Sequence, residues 1–190
     1  TYAFSLSPNV YLNFSCAIDQ LKYQKFKATR VAGDLLVKNK VARTEKIKLK
    51  AMGGGLTFSG VLDSRETKKI NLAAKADLNG IHIDSLFYVF WNFRQDWLQD
   101  KHLKGQTTAD IQFDADFTPA LKLIPKSLVA DMSVTVKKGE LNNFEPMQEL
   151  NKYLDDEGLK ALRFADLKNE IHIENEAYLF KCSYRRESED

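Results

Sequence analysis

The chain has 190 residues, 28 Lys and Arg against 26 Asp and Glu, and a net charge of +2. With 44% hydrophobic and 28% charged residues, 9 Gly and 4 Pro, it has the make-up of one globular domain with a real core, which excludes disordered, collagen-like and low-complexity chains. So small a net charge exerts no overall pull on nucleic acid, and no apolar run approaches the ~20 residues of a membrane helix.

From the N-terminus the dominant pattern has period two. Val10, Leu12, Phe14, Cys16 and Ile18 alternate with polar or small residues, as do Val31, Gly33, Leu35 and Val37. Ile47, Leu49 and Ala51 are separated by Lys46, Lys48 and Lys50, and Leu56, Phe58, Gly60 and Leu62 follow. Ile70 to Leu78, Ala109 to Phe117, Ala130 to Val136 and Ile171 to Ile173 repeat the pattern. Strict alternation places one side-chain set on each face of a sheet and marks antiparallel strands with one dry and one wet face. Gly53-Gly54-Gly55 is the clearest turn signal, with Asn39-Lys40 and Lys138-Gly139 weaker. The topology expected is a meander of long hairpins.

Two segments depart from period two. The stretch 84–99 reads as a helix, capped by Asp84 or Ser85, with Leu86, Val89, Phe90, Phe93 and Trp97 at helical spacing. A second helix is expected over 146–157, opened by Pro146, striped by Met147, Leu150 and Leu154, and ended by Gly158. The aromatic segment has two readings: a core helix packed on the dry face, or a lid or surface that meets lipid. Only Arg94 within it is basic, which weighs against a helix lying on a membrane. The fold class expected is mainly β with two helices (α+β), a curved, groove-like antiparallel sheet partly covered by helices at 84–99 and 146–157, forming a single domain over 1–190.

Catalysis needs polar groups that converge, and none is evident. His82, His102 and His172 have no partner at metal-ligand spacing. Asp155-Asp156-Glu157 reads as a solvated helix end, and the three glycines lack the Lys-Ser/Thr of a phosphate loop. No catalytic residue, metal or cofactor is expected, and the chain is not expected to be an enzyme. Lys46, Lys48 and Lys50 read as a solvated strand face. Cys16 and Cys182 are too few for a disulfide framework and are expected to be free and partly buried.

The order of these segments resembles the C-terminal region of the AsmA-like family of Gram-negative bacteria. In 26–62, a strand pair of the form x-G-x-L leads to the G-G-x-L-x-x-x-G turn and strand. The stretch 76–105 is similar to that family's l-x-G-v-x-i strand, helix and l-x-G return. The stretch 134–173 matches its G-x-L-x-n-f-x-P-l helix start and following strands, while the charged run 181–190 departs from the pattern. The resemblance implies a piece of a longer periplasmic protein, anchored to the inner membrane by an N-terminal helix outside this sequence. It also implies kinship with bridge-like lipid-transfer proteins, in which curved β modules form a channel whose apolar floor carries phospholipid acyl chains.

The function expected is therefore lipid carriage between membranes, with neighbouring modules or outer-membrane proteins as further partners and no nucleic acid. The groove residues expected are Leu56, Phe58, Leu72, Ile111, Phe113, Phe117, Met132, Val134 and Val136 on the dry face, with Phe90 and Trp97 on the covering helix. The alternative is a scaffold or assembly factor for outer-membrane proteins that works through exposed strand edges.

Overall fold

A computed structural model describes residues 3–94, 96–146, 149 and 161–185. Among them, nine strands form one open antiparallel sheet in which each pairs with its neighbour in sequence. The strands are β1 (Tyr11–Tyr23), β2 (Phe26–Lys38), β3 (Val41–Ala51), β4 (Gly54–Asp63), β5 (Ile70–His82), β6 (Leu103–Phe117), β7 (Val129–Asn142), β8 (Ala161–Glu174) and β9 (Ala177–Arg185). The mainly β meander expected from alternation is the fold observed.

Four connections are two-residue turns. Asn39-Lys40, Met52-Gly53 and Asn175-Glu176 are left-handed at both positions, with φ between 50° and 82°. That backbone matches the twist of the flanking strands. The turn expected at Gly53–Gly55 thus lies one residue earlier, and Gly54 and Gly55 belong to β4. Gly54 sits where a Cβ would strike the backbone of Asn79 and Gly80, so β4 and β5 approach closely there.

Lys138-Gly139 is not a turn. Lys138 is left-handed (φ 49°) inside β7, and the β6–β7 register shifts between Lys104 and Gln106. The segment is a bulge, which inserts one residue and turns the following side chains to the opposite face. Comparable register shifts fall between Thr29 and Ala32, Thr44 and Ile47, and Leu78 and Ile81. They explain why alternation breaks in mid-strand while the dry face continues.

The helix expected over 84–99 is much shorter. An α-helix, α1, spans Ile83–Val89, with His82 at the N-cap position and no side-chain cap, so neither Asp84 nor Ser85 plays that role. Trp91, Asn92 and Phe93 are all left-handed, with φ of 51° to 53°, and this reverses the helix. Of the second expected helix, Pro146 and Glu149 are helical, and the rest of 146–157 lies outside the described residues.

The long connections and turns sort to two ends of the sheet. At one end α1 lays Leu86 against Leu78, Ile81 and Ala109, a buried cluster of the core. At the other, the segment before β1 runs back across the strand ends. There Leu6 N–H donates to Ser64 Oγ (3.2 Å) and Phe4 N–H donates to the Pro119 carbonyl (2.7 Å).

Candidate functional site

The strand register aligns side chains into rows that cross the whole sheet. One row runs Cys16, Gly33, Ile47, Phe58, Ala76, Ile111, Met132, Ile171. The row beside it on the α1 side is Leu49, Leu56, Leu78, Ala109, Val134, Asn169. On the other side lie Thr44, Gly60, Ala74, Phe113, Ala130 and Ile173. Followed from β1 to β8, this face carries no Asp, Glu, Lys, Arg or His. Charged residues occupy the opposite positions, such as Lys48, Asp77, Asp110, Asp131 and Glu170.

Nine of the expected groove residues meet on this face. Leu56, Phe58, Leu72, Ile111, Phe113, Phe117, Met132 and Val134 are half-buried, and Val136 is buried. The buried positions mix the small Ala28, Ala51, Ala74, Ala109, Ala115 and Ala130 with larger residues such as Val31, Ile70 and Leu78. Alternating small and large residues lets long side chains lie flat. Ile47 covers Gly33, where a Cβ would come within 2.8 Å of its Cγ1, and the Phe164 ring occupies the space above Gly139. The apolar side chains of β1 remain open, with Leu12, Phe14, Ile18 and Leu21 at 39 to 42% exposure.

Phe90 and Trp97 are elsewhere. Phe90 is the residue after α1 and Trp97 follows the left-handed turn; they are 49% and 65% exposed, and neither lies on a helix covering the sheet. The helical spacing in the sequence was real through Val89 and ended where the backbone reverses. Sequence reasoning also missed the share of the face contributed by β1–β3 and by Leu162, Phe164 and Leu167 of β8. Alternation marks the β1–β3 residues as strand residues. Their membership of the same face as Phe113 follows only from the pairing register.

Magnitudes decide whether protein covers this face. Nine strands at ~4.8 Å spacing span about 38 Å, and 13 residues at ~3.3 Å extend about 40 Å. The seven-residue α1 is about 10 Å long and about 10 Å wide. It covers less than about a tenth of such a face. Among the described residues, no second layer lies over the central rows.

The ionisable chemistry sits on the polar face and at the strand ends. Asp116 accepts from Lys69 Nζ (2.8 Å) and Asn71 Nδ2 (3.1 Å), and these bonds hold its carboxyl below the usual range. Glu140 is lowered by Asn142 and by Lys104, which lies 3.3 Å away. His172 is raised by its 2.7 Å contact with Asp131 across β7–β8. These are solvated cross-strand pairs. Two shallow basins of about 320 and 370 Å³ open on this face, lined in part by Arg43, Glu45, Lys75 and Asp131. Among the described residues, no three metal-binding side chains converge.

Cys16 and Cys182 are free, on opposite edge strands. Cys182 is exposed, contrary to the expectation of burial. Compared with family models, curated proteins and solved structures, the chain has no match.

Proposed function

We propose that the chain is a non-catalytic lipid-bearing module that carries or conducts phospholipid acyl chains on its apolar face. The observation that supports this is a face without a charged side chain from β1 to β8, on which Leu12, Phe14, Ile18 and Leu21 stay 39 to 42% exposed and the large central residues are only partly buried. Burying a methylene is worth ~0.8 kcal/mol, so a two-chain lipid on such a face gains about 20 kcal/mol gross relative to water. A bilayer offers nearly the same gain, so the net preference is small. Small net preference suits a conduit, because a deep well holds its cargo. In this reading the module belongs to a periplasmic AsmA-like protein, anchored to the inner membrane and serving outer-membrane lipid homeostasis. Native mass spectrometry of the gently purified chain tests it. Bound phospholipid is expected, lost in Phe113→Asp and Val134→Asp and retained in Lys48→Gln; a lipid-free wild type contradicts the reading.

The edge of β1 favours a second reading, as a scaffold for outer-membrane proteins. Its 13 residues contain no proline, and Leu12 to Ile18 point no charge inward, so it lacks the usual guards against strand addition. Crosslinks to a client strand concentrated on β1, with no lipid on the apolar face, would select this reading.

A further inference from the structure

The end of the sheet that carries α1 holds a second exposed apolar surface, separate from the central rows. Tyr88, Phe90, Trp91, Phe93 and Trp97 are each about half-exposed or more, from 49% for Phe90 to 65% for Trp97. Phe93 stacks on Phe90 at 5.7 Å and meets Phe87 edge-on at 5.0 Å, while the Trp97 ring lies 6.0 Å from that of Phe144. The left-handed backbone of Trp91 to Phe93 keeps these rings off the sheet. Asn92 Oδ1 braces it by accepting from Asp100 N–H (2.9 Å). Left-handed geometry at non-glycine residues is unfavourable and is retained where the surroundings impose it.

Sequence alone gave this segment a single basic residue. The fold brings others. Lys25, in the β1–β2 turn, sits 4.2 Å from the Tyr88 ring and 5.2 Å from the Trp91 ring, and donates to the Tyr88 carbonyl (3.1 Å). Lys22 and Lys27 flank that turn, directly opposite each other and exposed. Like charges so placed repel. Among the described residues, no carboxylate pairs with Lys22, Lys25 or Lys27, although other lysines of the sheet do have such partners. Asp84, Asp96 and Asp100 lie in the neighbouring segment but pair with none of these lysines, and lysines beside exposed Trp and Tyr rings suit the headgroup region of an anionic bilayer. There rings sit among the headgroups and lysines meet phosphates.

We propose that this end of the sheet docks on an anionic phospholipid bilayer, with Phe90, Phe93 and Trp97 entering the interface and Lys22, Lys25 and Lys27 contacting its phosphates. Docking does not depend on lipid carriage by the central face.

Trp91 and Trp97 are the two tryptophans of the chain. Tryptophan emission, excited selectively over the seven tyrosines, therefore reports on this end alone. Vesicles of phosphatidylcholine with about one-third phosphatidylglycerol should shift the emission to the blue and float the protein, and about 0.5 M salt should reverse both. Lipids brominated near the headgroup should quench the emission. Lys22→Gln/Lys27→Gln, on the exposed face away from the core, should keep the far-ultraviolet circular dichroism and weaken partition by about fivefold per lysine. Emission and flotation unchanged by anionic vesicles would overturn the proposal. So would binding indifferent to salt and to the lysines, or a blue shift that tracks protein concentration without vesicles, which marks self-association. Native mass spectrometry of the same sample separates the two readings: flotation by a protein that purifies without lipid retains docking and removes carriage.

Discussion

On the polar face of the sheet, neighbouring strands are joined by pairs such as Ser133 with Glu170 (2.8 Å) and His172 with Asp131 (2.7 Å). On the apolar face the same strands meet through Met132 with Ile171 and Ala130 with Ile173. The first set is complete as it stands: each charged group has a partner or water, and exposed pairs contribute only ~0 to 1 kcal/mol each. The second set is not. Ile70, Val136 and several alanines leave water almost altogether, while the rings and long chains of the central rows are buried only in part and those of β1 remain 39 to 42% exposed. The difference teaches where to look for a ligand: the polar face meets its own needs through cross-strand pairs, and the apolar face is the surface on which the proposed function rests.

The largest expected effect separates the packed part of the apolar face from the open part. Ile81 is 0% exposed beneath α1, and Ile81→Ala should cost about 2 to 5 kcal/mol in urea unfolding. Phe113→Ala, although a larger truncation, should cost less than Ile81→Ala, because part of the Phe113 side chain stays in contact with solvent. Equal losses at the two sites would mean that the central rows are packed. Next comes the bulge that keeps the dry face continuous through β7 and β8. Gly139→Ala places a methyl in the space of the Phe164 ring and should cost about 1 to 3 kcal/mol, recovered in part by Phe164→Leu in the same chain.

The smallest effect belongs to the polar face. Contact with Asp131 raises His172 above its ordinary 6.5, so folding favours its protonated form. The stabilisation is therefore fully present below about pH 6.5 and is lost as pH rises through the raised value. The unfolding midpoints of wild type and His172→Gln should differ at pH 5.5 and converge at alkaline pH. A gap that widens with pH would break this assignment.

Much of this was legible in the chain. Leu72, Ala74, Ala76 and Leu78 alternate so regularly that strand and face could be read together. What could not be read is long-range or steric. Lys138-Gly139 has the composition of a turn, and only its pairing with β6 and β8 makes it a bulge. Trp97 keeps helical spacing with Phe93, yet the left-handed residues between Phe90 and Arg94 end the helix first. Lys25 is some sixty residues from Tyr88 in sequence, so the cation beside that ring emerges only when β1 and β2 fold against α1.

The central claim is that the uncharged face touches acyl chains. A phospholipid with a photoreactive group midway along one acyl chain, activated on the purified protein and mapped by peptide mass spectrometry, tests it most directly. Labels should fall on the central rows, at Phe58, Ile111, Phe113, Met132 and Val134. Labels confined to the polar-face residues Lys48, Asp110 and Glu170, or no labelling above that of a detergent-saturated control, would contradict it.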